Sequence, residues 1–201
     1  MNELIILQVE RGVATLTLNR PEKRNAMSDD MRAQFIDALE SVAADKAIRA
    51  LVLTGAGKGF CSGADQESAG VPPHVEGLTR PTYALRSMEM LDDITHTLRK
   101  LHQPVIAAIN GAAIGGGLCL SLACDIRIAA PGAYFRAAGI NNGLTASELG
   151  LSYLLPRAIG SSRAAEIMLT GRDVHAEEAA RIISTDLAIA NEGTDSVTVL
   201  L

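Results

Sequence analysis

The chain has 201 residues, of which 48% are hydrophobic and 20% charged, and its formal net charge at pH 7 is -5. This length suits one domain with a sizeable buried core and leaves too little chain for two ordinary domains. There is no block of lysine or arginine, so neither nucleic acid nor an anionic membrane is expected as a partner. Apolar runs end well before membrane-spanning length and no signal-like N-terminus is evident, so we expect a soluble, cytoplasmic protein.

The cysteine content argues against both a disulfide framework and a metal site. Three cysteines occur, Cys61, Cys119 and Cys124, an odd number without the CxxC spacing of zinc sites. We therefore expect reduced thiols and no bound metal. With no tryptophan and only 3% aromatic residues, the core must be built from aliphatic side chains and alanine.

The first quarter of the chain predicts a hairpin followed by a crossover. Residues 4–10 and 13–19 are β-favouring runs separated by a two-residue Arg-Gly turn. A helix is predicted from about residue 28 to residue 45, with a serine or an aspartate available as its cap. The apolar run at 50–54 predicts the next strand, and this strand-helix-strand order favours a largely parallel sheet.

The rest of the chain is organised around residues 103–130. The apolar run at 104–109 predicts a buried strand, and three glycines at 115–117 then lead into a small apolar helix at 118–124. Another short strand is predicted at 126–130. A helix entered through glycines presents unpaired backbone N–H groups, which suit an anion or a developing oxyanion. The alternative is that the glycines only permit close packing of the helix on the sheet.

A second glycine-associated turn lies in the segment GKGFCSGAD, residues 57–65. It does not have the GxxxxGK[ST] spacing of a P-loop. Neither this turn nor the triple glycine fits GxGxxG followed by an acidic residue at the ribose distance. Nucleotide-binding folds are therefore not favoured.

The second half of the chain is predicted to be mainly helical. A long helix is expected over about residues 82–101, and its apolar residues would share one side: Leu85, Met88, Leu91, Ile94 and Leu98. Thr145 or Ser147 can cap a helix that contains Glu148, and Ser161-Ser162 can cap the next one.

Taken together, the segments LNRPEKRNAM, GKGFCSGAD and PVIAAINGAAIGGGLCLSLACDIRIA resemble the crotonase family, also called the enoyl-CoA hydratase/isomerase superfamily. The resemblance covers roughly residues 4–182. It implies an α/β fold, the repeated ββα superhelix, as a single core domain at 1–182. Residues 183–201 would be an atypical tail that lacks the family's terminal helices. It also implies an acyl-CoA thioester partner, a homotrimer or hexamer, and no separate cofactor, because coenzyme A enters with the substrate.

The resemblance assigns roles to the two glycine-flanked turns. In the family, two backbone N–H groups form an oxyanion hole for the thioester carbonyl, and by motif position these belong to Ala64 and Gly116. Fixed donors stabilise the charge that develops on that oxygen during proton removal or nucleophilic addition. The family's contacts with coenzyme A would fall on Arg24, Ala26, Ser62, Gly63, Asp65 and Gly115. For Arg24 the alternative is a solvated turn residue.

Two positions depart from the family's hydratases. Those enzymes use two glutamates, whose places are taken here by Cys119 and by Gly139 or Ile140. None of these side chains can act as a carboxylate acid or base. The resemblance therefore favours isomerase- or lyase-type chemistry over standard two-glutamate hydration. The alternative is a non-catalytic or degenerate member that still binds coenzyme A.

Glu148 is the remaining acidic candidate. Its position resembles the place where dienoyl-CoA isomerases and chlorobenzoyl-CoA dehalogenase of this family carry a functional aspartate. A carboxylate beside an oxyanion-held thioester can move a proton as a single base, or add to the substrate. The alternative is a first-turn glutamate that only stabilises the helix dipole.

Overall fold

The computed structural model describes residues 3–67, 75–143, 148–183 and 187–189. Its strands are β1 (Ile5–Glu10), β2 (Val13–Leu18), β3 (Ala50–Gly55), β4 (Gly59–Cys61), β5 (Val105–Ile109), β6 (Ala112–Ile114), β7 (Ile126–Ala129), β8 (Tyr134–Arg136), β9 (Asp173–His175) and β10 (Leu187–Ile189). Its helices are α1 (Asp29–Ala44), α2 (Arg80–Arg99), α3 (Gly116–Ala123), α4 (Leu151–Ile159), α5 (Ser161–Thr170) and α6 (Ala176–Ile182). Short 3₁₀ turns lie at Pro21–Lys23, Ile140–Asn142 and Glu148–Gly150.

The strands of the described residues form two sheets. The larger has the order β1-β2-β3-β5-β7-β10 and the smaller the order β4-β6-β8-β9. From β3 onward, successive strands alternate between the sheets: β3, β5 and β7 pair in parallel in one, and β4, β6 and β8 pair in parallel in the other. Each strand pair is followed by a helix, so the predicted α/β fold, a crotonase-type ββα superhelix in a single domain, is confirmed.

The opening hairpin follows the pattern predicted for it. β1 and β2 are antiparallel, and the turn residues Arg11 and Gly12 have φ of 51° and 82°. Positive φ at both central positions is the geometry whose twist matches that of paired strands. Successive side chains of β2 alternate strictly between its two faces, and Ala14, Leu16 and Leu18 are completely buried.

Helix α1 begins and packs as its sequence indicates. The Ser28 side chain accepts a hydrogen bond from the Met31 N–H at 3.3 Å, which satisfies one of the unpaired donors of the first turn. Its buried face consists of Met31, Phe35, Leu39 and Val42. β5 is buried along its whole length between β3 and β7, as expected for a central parallel strand.

One local prediction was wrong, and other local features could not be read from the sequence. β6 and β9 were not predicted, because three-residue strands carry too little pattern. Residues Leu85 and Met88 of α2 are exposed, whereas Ile94 and Leu98 are buried, so only the C-terminal half of that apolar face packs in the core. The cap of α5 is Gly160, at φ 83° and ψ 153°, and not the Ser161-Ser162 pair.

Two other predictions fall partly outside the described residues. The predicted caps Thr145 and Ser147 lie outside them. Of the predicted tail, 183–201, the structure describes residue 183 and strand β10, which pairs in parallel with β7. The domain boundary at 182 therefore stays a prediction. No helix in the described ranges is long and apolar enough to cross a membrane.

Candidate active site

The three consecutive glycines before and within α3 have different surroundings. Gly115 is the N-cap, with φ 54° and ψ -115°, and its N–H donates to the Arg136 carbonyl at 2.9 Å. A Cβ placed on Gly116 would lie 3.8 Å from the Ala64 nitrogen. A Cβ placed on Gly117 would instead overlap the Cys61 carbonyl of β4. Close packing therefore explains Gly117, whereas Gly116 faces the second glycine-flanked turn.

The contact at Gly117 leads to a stability prediction. Gly117→Ala should force α3 away from β4 and lower the free energy of unfolding by roughly 1–3 kcal/mol, the usual cost of overpacking. Chemical denaturation measures this loss. Gly132→Ala is the matched control, because a Cβ there meets nothing within 4 Å. Equal stability of the two variants would contradict the packing argument.

The turn that contains Ala64 is held by a short backbone bridge. Met27 N–H donates to the Gly63 carbonyl at 2.8 Å, and Asp65 N–H donates to the Met27 carbonyl at 2.9 Å. Because the Gly63–Ala64 peptide is trans, the Ala64 N–H points opposite to the Gly63 carbonyl and therefore away from Met27. A Cβ on Gly63 would lie 3.2 Å from the Gly116 nitrogen, so the two turns touch backbone to backbone.

Both turns start from neighbouring parallel strands. β4 leads directly into residues 62–64, and β6 leads directly into residues 115–116. β4 and β6 are hydrogen-bonded neighbours in the smaller sheet. The predicted oxyanion donors therefore lie just beyond the carboxyl ends of two adjacent strands.

A cavity of about 210 Å³ opens beside these turns. Its lining includes residues 62–64 and 115–116 together with Cys119, Gly139 and Leu149. A smaller apolar pocket of about 20 Å³ adjoins it, and Ala64, Gly116 and Leu149 line both. The site thus combines fixed backbone donors with mainly apolar walls.

The orientation of α3 adds to the positive character of the site. Its N-terminus lies at Gly116, where unpaired N–H groups carry partial positive charge. At the opposite end the buried Arg127 guanidinium donates to the carbonyls of Ser121 at 3.0 Å and Cys124 at 2.7 Å. A cation on the C-terminal carbonyls stabilises a helix in this orientation.

The predicted coenzyme A contacts divide into two groups. Ser62, Gly63 and Gly115 line the cavity, whereas Arg24, Ala26 and Asp65 are not among its lining residues. Arg24 is exposed, and its backbone lies in the left-handed region, with φ 53°. Its carbonyl accepts a hydrogen bond from the Ser62 N–H at 3.1 Å. It therefore lies next to the cavity rim through its backbone. The binding roles of all six residues remain predictions.

Asp65 has a structural partner that the sequence did not indicate. Its carboxylate accepts a hydrogen bond from the Arg20 guanidinium at 2.5 Å, and only 7% of its side chain is exposed. This hydrogen bond from Arg20 holds the pKa of Asp65 below its usual value. The ion pair fixes the segment that follows Ala64.

The Asp65 ion pair predicts a pH-dependent stability. Because the folded-state pKa is lowered, its stabilisation is complete above the ordinary aspartate pKa and is lost as pH falls through the folded-state value. Asp65→Asn should reduce the free energy of unfolding by about 1.5–3 kcal/mol at pH 7. Denaturant titrations at several pH values should show the wild-type advantage declining below about pH 3.9.

A neighbouring exposed ion pair provides the control. Lys23 and Glu67 pair at 2.7 Å, with side-chain exposures of 44% and 77%. Exposed pairs contribute little, so Glu67→Gln should have at most a small effect at any pH. A loss for Asp65→Asn that did not change between neutral and acidic pH would rule out the ion pair as its cause.

Of the residues that the resemblance places at the glutamate positions of family hydratases, Cys119 and Gly139 line the cavity, whereas Ile140 is not among its lining residues. Cys119, in the first turn of α3, is 2% exposed, and Gly139 precedes the 3₁₀ turn Ile140–Asn142. Neither supplies a carboxylate. All three cysteines are buried, and none is paired in a disulfide in the structure. No cluster of three metal-binding side chains occurs in the described part of the chain.

Glu148 begins a turn that is separate from α4. That helix starts at Leu151 with Gly150 as its N-cap, so the alternative of a first-turn glutamate in this helix is wrong. The following residue, Leu149, lines the cavity. The backbone of Glu148 is thus one residue from the cavity wall, and its catalytic role stays a prediction.

Two polar cavity residues were missed. Gln66 and Asn142 both contribute to the lining. In the sequence, the run Asn141-Asn142-Gly143 indicated only a turn, which the structure contains as a 3₁₀ turn ended by left-handed Gly143. The signal that could have identified Asn142 as a cavity residue was its proximity to Gly139 in the sequence.

Comparison with known proteins identifies the family. The enoyl-CoA hydratase/isomerase family model matches residues 8–186, and the chain therefore belongs to this family. It is 72% identical over 170 residues to the probable enoyl-CoA hydratase EchA12 of Mycobacterium tuberculosis, which covers 85% of this chain and 60% of that protein. It is 42% identical to the 1,2-epoxyphenylacetyl-CoA isomerase of Escherichia coli, over 89% of this chain and 67% of that protein.

Solved structures agree with this assignment. A probable enoyl-CoA hydratase/isomerase from Mycobacterium abscessus superposes with a TM-score of 0.83 at 61% identity, covering 93% of this chain and 69% of that one. A monofunctional enoyl CoA isomerase from M. smegmatis has a TM-score of 0.75 at 53% identity, with coverages of 94% and 78%. The chain spans about three fifths of the length of the EchA12 relatives.

Proposed function

We propose that this chain binds an acyl-CoA thioester and stabilises an enolate of it through the backbone N–H groups of Ala64 and Gly116. The observation that carries the proposal is the contact between their two turns at the wall of a 210 Å³ cavity. Gly116 also lies at the N-terminus of α3, where the helix dipole favours negative charge. Family membership supports the choice of ligand.

The chemistry that such donors assist is charge development on the thioester oxygen. When a base removes a proton from the carbon next to the thioester, the C–H electrons form a C=C bond and the carbonyl electrons move to oxygen. Two preorganised N–H donors stabilise that oxygen by roughly 2.7–4 kcal/mol each. When the substrate has a β,γ double bond the enolate extends to the γ-carbon, and reprotonation there completes an isomerisation, whereas loss of a β-substituent with its electron pair completes an elimination.

We place the reaction with isomerases or lyases and not with two-glutamate hydratases. The residues that the resemblance places at the customary glutamate positions, Cys119 and Gly139 or Ile140, cannot exchange protons as carboxylates do. Glu148 is the proposed single base, because its turn contacts the oxyanion site through Leu149. Relatives described as isomerases, from E. coli and M. smegmatis, support this preference.

The coenzyme A moiety is proposed to cross the rim formed by Ser62, Gly63 and Gly115. Ala26 and the backbone at Asp65 lie along the bridge that holds this rim, and exposed Arg24 can supply a charge-assisted contact to a phosphate.

Family membership also supports assembly as a homotrimer or hexamer in the cytoplasm. Analytical ultracentrifugation tests the assembly.

Exchange of the α-proton in deuterated water tests the proposed function. The protein should incorporate deuterium at the α-carbon of a short saturated acyl-CoA, as read by mass spectrometry. Incubations without protein provide the background. Exchange requires a base and a stabilised enolate, whereas binding does not. Binding without exchange would reject the enzyme proposal.

The second candidate, a non-catalytic CoA-binding protein, is favoured by one observation. The residues expected at the two customary acid/base positions, Cys119 and Gly139 or Ile140, carry no carboxylate, although a cavity is present. This candidate predicts acyl-CoA affinity with no deuterium incorporation. The exchange experiment therefore decides between the two.

A further inference from the structure

Leu149 has an unusual backbone conformation for a large side chain. Its φ and ψ are 55° and 26°, in the left-handed region, and it interrupts the 3₁₀ turn Glu148–Gly150. Residues with a bulky side chain rarely adopt this conformation unless their surroundings impose it. Such positions also concentrate at functional sites. The contacts that hold Leu149 are therefore of interest.

Two contacts from different parts of the chain hold this residue. Its N–H donates to the Asp92 carboxylate of α2 at 3.0 Å, across 57 positions of sequence. Leu149 is 9% exposed, and its Cδ1 lies 3.2 Å from where a Gly116 Cβ would be. Leu149 thus joins α2, the turn that carries Glu148, and the glycine turn of α3.

We propose that Asp92 is a positioning residue for the reaction. By accepting the Leu149 N–H, it holds the turn Glu148–Gly150 against Gly116 and sets the distance between the proposed base and the oxyanion donors. The proposal rests on the proposed function for its catalytic consequence. The structural part of the proposal is that the Asp92 carboxylate holds the Leu149 N–H, an interaction called the clamp below. This part does not rest on the proposed function.

The geometry explains why an acceptor on α2 is suited to this task. Leu91, next to Asp92, lines the cavity, as does Leu149 itself. One turn of α2 therefore contributes Leu91 to the cavity wall and the Asp92 carboxylate as the acceptor of the Leu149 N–H. Misplacement of a reacting group by about 1 Å can cost about 10²-fold in rate, so a remote anchor can have a large effect.

Three variants separate positioning from other roles. Asp92→Ala removes the acceptor and should lower kcat by about 10²-fold while leaving the affinity for coenzyme A itself unchanged. Asp92→Asn keeps an oxygen acceptor and should recover most of the turnover. Asp93→Ala, at an exposed neighbour on the same helix, should behave as wild type.

Amide hydrogen exchange at Leu149, followed by NMR, tests the clamp without relying on activity. The amide should be protected in wild type and in Asp92→Asn, and should exchange faster in Asp92→Ala. Unchanged protection in Asp92→Ala would overturn the inference. So would a kcat loss in Asp92→Asn as large as that in Asp92→Ala, because the charge itself would then be required. If the clamp is present but wild type exchanges no α-proton, only the proposed function and the kinetic consequence fail.

Discussion

Replacing Ala64 with proline is expected to lower turnover of an acyl-CoA substrate by roughly 10²–10³-fold, the usual cost of one oxyanion donor. Proline removes the backbone N–H and no reactive side chain. The bridge that holds the turn uses the N–H groups of Met27 and Asp65, so its two hydrogen bonds do not depend on the deleted donor. Steady-state kinetics gives the loss, and acyl-CoA affinity reports whether the site is still formed.

Ala64→Gly is the matched control for this experiment. It changes the same residue but retains the N–H, so it should keep most of the turnover. Full activity in Ala64→Pro would exclude this donor from the mechanism. Equal losses in the proline and glycine variants would point to the side chain or the local backbone instead.

Glu148→Gln is the second substitution with a large expected effect. Glutamine keeps the size and hydrogen-bonding capacity of the side chain but cannot accept and release a proton at neutral pH. Turnover and α-proton exchange should fall by roughly 10²-fold or more, and coenzyme A affinity should remain nearly unchanged.

Glu177→Gln provides the comparison for this variant. Glu177 is an exposed glutamate in the first turn of α6, so the same chemical change there should leave kinetics unaltered. Wild-type turnover in Glu148→Gln would remove the residue from the mechanism and strengthen the non-catalytic alternative. A loss confined to coenzyme A affinity would assign it to binding.

Much of the framework was predictable because local pattern and tertiary structure agree. The hairpin turn needed two residues with positive φ, and Arg11-Gly12 provided them. Ser28 marked the start of α1, and the apolar run before the triple glycine marked β5. Two hypotheses were made for the triple glycine, an oxyanion site and close packing of the helix on the sheet. Each has support at a different residue: Gly117 packs closely, and Gly116 contacts the other turn.

The parts that were missed depend on tertiary contacts. Nothing in the sequence around Leu149 predicts a left-handed leucine, since the hydrogen bond that holds it comes from Asp92 on another helix. Likewise, only the backbone around Asp65 was expected near coenzyme A, and the ion pair of its carboxylate with Arg20, 45 positions away, was not predicted. Such pairings become visible only when the chain is folded.

The origin of the two donors in adjacent strands has a consequence for how this family can diversify. Neighbouring strands lie about 4.8 Å apart whatever side chains they carry, and Ala64 and Gly116 follow directly paired β4 and β6. In the proposed mechanism, sheet geometry therefore fixes the separation of the two oxyanion donors. Substitutions of cavity-lining side chains, such as that of Cys119, can then change the reaction while this separation stays the same.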